Sequence, residues 1–69
     1  MDFIKVAKLG TSVKEVALEG GSRVSDALNA AEVRADGFEL RVNGNPVTGD
    51  AVLRTGDIVT LVPQIKGGL

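Results

Sequence analysis

The chain has 69 residues and a mass of 7.1 kDa, which is enough for one small domain. Its 43% hydrophobic and 25% charged residues are typical of a folded protein and argue against disorder. The net charge of −1 predicts neither a nucleic-acid nor a membrane partner. No apolar run approaches the roughly 18 residues of a spanning helix, and no secretory signal is present, so we expect a cytoplasmic protein.

Two residue types that serve most catalytic sites are absent. Without cysteine there is no disulfide, thiolate nucleophile or thiolate metal site. Without histidine the usual general base and the commonest metal ligand are missing. A chain this short also needs most of its aliphatic residues for one core. We therefore expect no enzyme, no catalytic residue, no metal site and no bound cofactor.

Two strands are predicted at the start of the chain. The run Ile4 to Leu9 is short and rich in β-forming residues, and in the run Val13 to Glu19 the apolar residues Val16 and Leu18 share one face. The turn residues between the two runs include Gly10. The spacing predicts a hairpin.

A helix is predicted next, because the period of the apolar residues changes. Val24, Ala27, Leu28 and Ala31 follow the i, i+3, i+4, i+7 spacing of one helical face. Ser22 is the predicted N-cap, since a serine side chain can accept a hydrogen bond from an amide of the first turn. The pattern supports two to three turns.

The period of two returns after the helix. Phe38, Leu40 and Val42 alternate with polar residues and predict a third, half-buried strand. The sequence at 43–46, Asn-Gly-Asn-Pro, predicts a turn. Val47 is expected to begin a very short strand.

A final strand is predicted at 58–62, the most β-prone run of the chain. The turn sequence at 55–57 precedes it, and Pro63 ends it because proline has no amide donor. In the connector before the turn, either Val52 or Leu53 is expected to fill the core.

The predicted core consists of residues that share strand parity or lie on the helical stripe: Ile4, Val6, Val16, Leu18, Leu28, Phe38, Leu40, Val42, Val59 and Leu61. The element order is that of the ubiquitin-like β-grasp, an α+β fold. It has a mixed sheet of four to five strands and one helix packed across one face. We expect residues 1–63 to form this single domain and residues 64–69 to form a flexible diglycine tail.

The glycines of the tail, Gly67 and Gly68, separate no two elements. One interpretation is a frayed, solvated end. The other is an arm thin enough to enter a narrow channel, because two residues without side chains bring a terminal carboxylate into another protein's active site with little steric hindrance.

Several short motifs resemble the ThiS/MoaD family of sulfur carriers. Residues 55–63, with a Gly-Asp turn before the last strand, are followed by Gly67 and Gly68, as in that family's ending. Residues 24–28 resemble its helix start, and residues 41–44 resemble its third strand and turn. The resemblance covers nearly the whole chain, and its parts agree with one another.

The resemblance implies a carrier and not a catalyst. In such families an adenylating enzyme of the ubiquitin-activating type uses ATP to activate the carboxylate at the position of Gly68. The product becomes a thiocarboxylate or is joined to a lysine amine. The partners implied are that enzyme and a sulfur donor or synthase subunit, and the chain alone is expected to be a monomer.

One residue departs from the family pattern, because carriers end at the second glycine and here Leu69 follows it. Either a peptidase removes Leu69, or the protein no longer performs acyl chemistry, or Leu69 was added in cloning.

Partner docking is predicted at three residues. Strand alternation turns Arg41 outward, near where ubiquitin presents an apolar isoleucine, so an apolar patch of the ubiquitin type is at best partial. Val62 and Ile65 present apolar surface beside the tail, or they pack peripherally against the sheet.

Four lysines and two aspartates are expected to have structural or solvent-exposed positions and no chemical function. The lysines are expected to be solvated: Lys5, Lys8, Lys14 and Lys66. Asp50 and Asp57 lie beside glycine in turns, where aspartate commonly bonds to nearby backbone, which we favour over a metal site.

Two other functions remain open. A β-grasp binding module with an unreactive tail would bind a partner without covalent change. A small subunit of a molybdopterin-synthase type of complex would associate stably with a larger catalytic subunit. Fold alone does not separate these functions.

Overall fold

The computed structural model describes residues 1–64, which form one sheet and one helix. The elements are β1 (Asp2–Lys8), β2 (Ser12–Leu18), α1 (Val24–Ala31), β3 (Phe38–Val42), β4 (Asn45–Pro46) and β5 (Ile58–Pro63). The strand order is β2-β1-β5-β3-β4; β1 and β5 are parallel, and the other neighbours are antiparallel. With α1 packed on the sheet, this confirms the predicted β-grasp fold.

The β1–β2 hairpin has the predicted location with slightly different ends. β1 begins at Asp2, two residues before the predicted start, because Asp2 still pairs with Leu18 of β2. The neighbouring Phe3 amide also donates to the Thr55 hydroxyl at 2.9 Å. These contacts with distant parts of the chain add two residues to the start of β1, which the local sequence does not predict.

Helix α1 buries the predicted stripe. Val24, Ala27, Leu28 and Ala31 are all buried, and they pack against the face of the sheet that also carries Ile4. Within residues 1–64, no helix has the length and apolar character needed to cross a membrane.

The N-cap prediction is wrong by one residue. The helix begins after Arg23, whose amide donates to the Asp26 carboxylate at 2.9 Å. The Ser22 hydroxyl instead donates to the Glu19 carbonyl at 2.7 Å. The cause is a β-bridge between Arg23 and Val52, which keeps the chain extended for one residue longer than the serine cap requires.

The core contains five of the ten predicted residues as buried side chains. They are Ile4, Val6, Leu28, Val59 and Leu61. The other five pack against this cluster but are only partly buried: Val16, Leu18, Phe38, Leu40 and Val42. An eight-residue helix is about 12 Å long and does not cover a sheet of five strands. Of the two connector candidates, Leu53 is 2% exposed and fills the core, whereas Val52 is 59% exposed.

The turn between β3 and β4 is shorter than predicted. Asn43 and Gly44 both have positive φ, 51° and 87°, as in the two-residue turns that suit the twist of a hairpin. Asn45 and Pro46 were predicted to belong to the turn, but they form β4 and pair with Val42 and Arg41. The Asn-Gly pair completes the reversal by itself.

Asn43 also connects this turn to the beginning of β5. Its side-chain amide donates to Asp57 Oδ1 at 2.9 Å, and its side-chain oxygen accepts from the Ile58 amide at 3.0 Å. The second oxygen of Asp57 accepts from the Arg54 amide at 2.8 Å. Two of the motifs behind the family resemblance, Asn-Gly and Gly-Asp, therefore contact each other and stabilise the fold.

Replacing Leu28 by alanine tests the packing of the helix. We expect Leu28→Ala to lower the free energy of unfolding by about 2–5 kcal/mol, because the side chain is buried and leaves a cavity. The exposed neighbour provides the control, with Asn29→Ala changing stability by less than about 0.5 kcal/mol. Guanidinium denaturation measures both, and an unchanged midpoint for Leu28→Ala would contradict the packing of α1.

Two substitutions at Asn43 separate its hydrogen bonds from its backbone conformation. Asn43→Gly loses the side-chain bonds to Asp57 and Ile58 but accepts a positive φ, and we expect a loss of about 1–2 kcal/mol. Asn43→Ala should lose about 1 kcal/mol more, because alanine resists the left-handed conformation. Urea denaturation compares them with the control Asn45→Ala. Equal stability of Asn43→Gly and the unchanged chain would show that the side-chain bonds contribute nothing.

Candidate functional site

The predicted tail follows a strand in the middle of the sheet. β5 lies between β1 and β3, and its inward residues Val59 and Leu61 are completely buried. It ends at Pro63, which pairs with Phe38 at the start of β3. One residue later the Gln64 amide donates to the Gly37 carbonyl at 2.9 Å. The chain is therefore bonded to the fold up to Gln64, three positions before Gly67.

Most of the predicted site residues belong to this carboxyl-terminal segment. Ile65, Gly67, Gly68 and Leu69 lie outside the residues that the structure describes, as does Lys66. Their predicted roles as docking residue, activated glycines and processing site stay predictions. The described part of the site is the surface around Gln64.

One part of this surface is the face of the sheet opposite the helix. The register pairs Arg41 with Thr60 and Glu39 with Val62 on that face. The outward direction predicted for Arg41 is confirmed, and its guanidinium forms an ion pair with Glu39, with an Nη2–Oε2 distance of 2.7 Å. Both side chains are about two-fifths exposed, so this pair adds little stability. Arg41 and Glu39 place opposite charges where ubiquitin has an apolar isoleucine.

Apolar surface lies beside this ion pair. Val62 is half-buried, and Leu9 at the hairpin turn is 51% exposed. The Leu9 amide donates to the Leu61 carbonyl at 3.2 Å, which continues the β1–β5 pairing by one residue and brings Leu9 beside the end of β5. Leu9 is not among the docking residues predicted from the sequence. Its position directly before the hairpin glycine, outside the inward parity of β1, is the signal that could have identified it.

Two of the lysines expected to be solvated also contact the fold. The Lys14 ammonium donates to the carbonyl of Ala31, the last residue of α1, at 2.9 Å. The Lys8 ammonium lies 4.6 Å from the centre of the Phe38 ring. Strand parity explains both contacts, because Lys8 and Lys14 project from the face of the sheet that carries the helix. The helix end and the aromatic ring each attract a cation.

The two aspartates expected in turns make local hydrogen bonds. Asp57 accepts from Asn43 and from the Arg54 amide, and Asp50 accepts from the Thr48 hydroxyl. The bond from Thr48 holds the pKa of Asp50 below its usual value. Within residues 1–64, no group of three or more potential metal-binding side chains occurs. Both carboxylates therefore stabilise turns.

The sequence matches the profile of the ThiS family over residues 5–68. The chain belongs to the ThiS family. This match extends the resemblance noted in the short motifs over almost the whole chain. Members of this family are small carrier proteins with a ubiquitin-like fold, and they are generally not catalysts.

Solved structures with the same fold include two from the archaeon Haloferax volcanii. Its SAMP1 is 20% identical to this chain with a TM-score of 0.77, covering 96% of this chain and 99% of that one. A second structure, the small archaeal modifier protein 1, is 18% identical with a TM-score of 0.77 and covers 94% and 100%.

A third structure is that of a molybdopterin converting factor, subunit 1, from Pyrococcus furiosus. It is 23% identical with a TM-score of 0.74, and the alignment covers 94% of this chain and all of that one. At these identities the likeness establishes the fold.

Proposed function

We propose that this chain is a sulfur carrier or ubiquitin-like modifier that reacts at the carboxylate of Gly68. Removal of Leu69 exposes that carboxylate, and a partner enzyme activates it with ATP. The activated group then becomes a thiocarboxylate, or it is joined to a lysine of a target protein. The observation that carries this proposal is the family match, which extends through the tail and ends at residue 68.

The chemistry requires activation because a carboxylate is a poor electrophile. A carboxylate oxygen attacks the α-phosphorus of ATP and displaces pyrophosphate, which gives an acyl adenylate. A sulfur nucleophile or an amine then attacks the acyl carbon and displaces AMP. The carrier contributes only the carboxylate, while the partner enzyme holds ATP and the catalytic groups, in accord with a chain without histidine or cysteine. No cofactor is assigned to the carrier itself.

The geometry at the end of β5 supports this division. We assign residues 1–63 to a docking body and residues 64–69 to the tail. The hydrogen bond from Gln64 to Gly37 gives the tail a fixed starting point. Gly68 lies four positions after Gln64, so a fully extended tail reaches about 13 Å into a partner. That length suffices to bring a terminal carboxylate into a buried active site.

The family match supports processing at Leu69. It includes Gly67 and Gly68 but stops before Leu69. A peptide bond between Gly68 and Leu69 occupies the carboxylate that must react, so the proposal requires a trimming peptidase. We propose that this peptidase removes a single residue.

The face of the sheet opposite the helix is the proposed docking surface for the activating enzyme. It combines the exposed Leu9, the half-buried Val62 and the Arg41–Glu39 ion pair. We also propose Ile65 as a docking residue. A small apolar area with a polar rim suits a transient complex. We propose that the chain is a monomer outside such complexes and acts in the cytoplasm, where ATP is available.

A second candidate is the small subunit of a molybdopterin-synthase type of complex. The likeness to the Pyrococcus furiosus molybdopterin converting factor subunit favours it. In that case the thiocarboxylate at Gly68 would donate its sulfur within a stable complex with a larger subunit. Size-exclusion chromatography with such a subunit from the same genome distinguishes this role, because a transient carrier does not co-elute.

The first functional prediction concerns the length of the tail. A chain that ends at Gly68 should be adenylated by its activating enzyme about a hundredfold faster than the 69-residue chain, because the leucine side chain displaces the reacting carboxylate by more than about 1 Å. Pyrophosphate release with each candidate activating enzyme of the same genome measures this. A chain ending at Gly67 is the control and should be inactive. Equal inactivity of all three chains with every enzyme would favour a binding module with an unreactive tail.

The second functional prediction concerns Gly68 itself. In the trimmed chain, Gly68→Ala should reduce adenylation severely, because a methyl group beside the carboxylate clashes with the wall of a channel shaped for glycine. Its melting temperature should stay within about 1 °C of the trimmed parent, since the core residues lie in the body. Full activity of Gly68→Ala would contradict a channel shaped for the diglycine.

A further inference from the structure

A basic notch lies on the helix side of the molecule. It is a cavity of about 320 Å³ that opens to solvent between the β1–β2 hairpin and the loop after α1. Three cations line it, and they come from three different segments: Lys8, Lys14 and Arg34. Thr11, Ser12, Glu32 and Val33 complete its wall.

Contacts with the fold position two of these cations. The Lys8 ammonium is 4.6 Å from the centre of the Phe38 ring, and the Lys14 ammonium donates to the Ala31 carbonyl at 2.9 Å. Side chains that are already ordered lose less entropy when they bind a partner. The positive charge of Lys14 is partly balanced by the negative carboxyl end of the helix. Lys8 and Arg34 therefore carry most of the unbalanced positive charge.

The charge of the notch is not neutralised locally. Glu32 is the single carboxylate on its wall, against three cations. Across residues 1–64 the only ion pair within 4 Å joins Arg41 to Glu39, on the opposite face of the sheet. The notch therefore presents an excess of positive charge on a chain whose net charge is −1.

Acidic residues lie at both ends of the molecule. Asp2 begins β1 and Asp57 directly precedes β5, at the end away from the notch. Glu32 lies on the notch wall, and Glu39 pairs with Val62 near the end of β5. The excess of positive charge is therefore confined to the notch itself.

The notch adjoins the point where the tail begins. Phe38, whose ring contacts the Lys8 ammonium, pairs with Pro63 in the sheet. The neighbouring Gly37 carbonyl accepts a hydrogen bond from the Gln64 amide. The notch thus lies on the helix side of this point, and the surface with Arg41 and Val62 lies on the other side. A protein that receives the tail comes within reach of both.

We propose that the basic notch is a second docking point, which takes a glutamate or aspartate side chain from the enzyme that activates the tail. This inference rests on the proposed function. An acidic group on the enzyme, next to the channel for the tail, would attract the basic notch and turn the tail toward the channel. Such rim charges act mainly on the association rate and its salt dependence.

Charge reversal tests the proposal in the adenylation assay with the chain ending at Gly68. Arg34→Glu should raise KM for the carrier about fivefold to tenfold, with kcat within about twofold, since the effect of a rim charge is on association. Its KM should also depend less on salt than that of the parent. Arg54→Glu, with the same net charge but at the opposite end, is the matched control and should leave KM within about twofold. Glu32→Gln should lower KM.

Equal increases in KM for Arg34→Glu and Arg54→Glu would overturn the notch as a specific docking point, and so would no increase for Arg34→Glu. These results leave the proposed function intact, because the parent chain is still adenylated. If the parent is not adenylated, isothermal titration of the same enzyme decides: tighter binding by the parent than by Arg34→Glu supports the notch while the proposed reaction fails. No binding at all overturns both.

Nuclear magnetic resonance distinguishes a protein carboxylate from a small anion. Hexaglutamate should shift the amide signals of Thr11, Ser12 and Arg34 in the free carrier, and Arg34→Glu should remove the shifts of Thr11 and Ser12. Inorganic phosphate at the same concentration should shift them less. Larger shifts with phosphate would indicate a small-anion site and overturn the docking proposal.

Discussion

The parallel pairing of β1 with β5 is the constraint on which the rest of the structure depends. It joins the first and last strands through the pairs Lys5–Ile58 to Lys8–Leu61 and places β5 in the middle of the sheet. Val6 and Val59, paired in this register, are both buried under the helix. Because β5 is bonded on both sides, the segment after Pro63 starts from one of the most firmly held strands.

Local periodicity was sufficient to predict the helix and the strands in which the apolar residues lie on one face of the element. The stripe through Leu28 and the alternation from Phe38 to Val42 each depend only on neighbouring residues. The misplaced features depend on distant ones. Arg23 replaces Ser22 as N-cap because Arg23 pairs with Val52, and β4 exists because Asn43 completes a turn while bonded to Asp57. No local pattern contains those contacts.

The candidate site was predictable to a similar extent. The outward direction of Arg41 followed from strand parity, whereas its ion pair with Glu39 depends on side-chain geometry within the strand. The contacts of Lys8 with Phe38 and of Lys14 with Ala31 join residues that are 30 and 17 positions apart. These contacts form because the fold brings the end of α1 and the strands β1, β2 and β3 together at the end of the molecule where the tail begins.

Intact-mass spectrometry of the protein from its native host tests whether the chain acts through the carboxylate of Gly68. We expect a chain that has lost one leucine residue, with a fraction in which sulfur replaces one oxygen at the carboxyl terminus. Conjugation would appear instead as a Gly-Gly remnant on lysines of other proteins. A carrier or modifier role at Gly68 is wrong if every molecule retains Leu69 without modification and no lysine in the proteome carries the remnant.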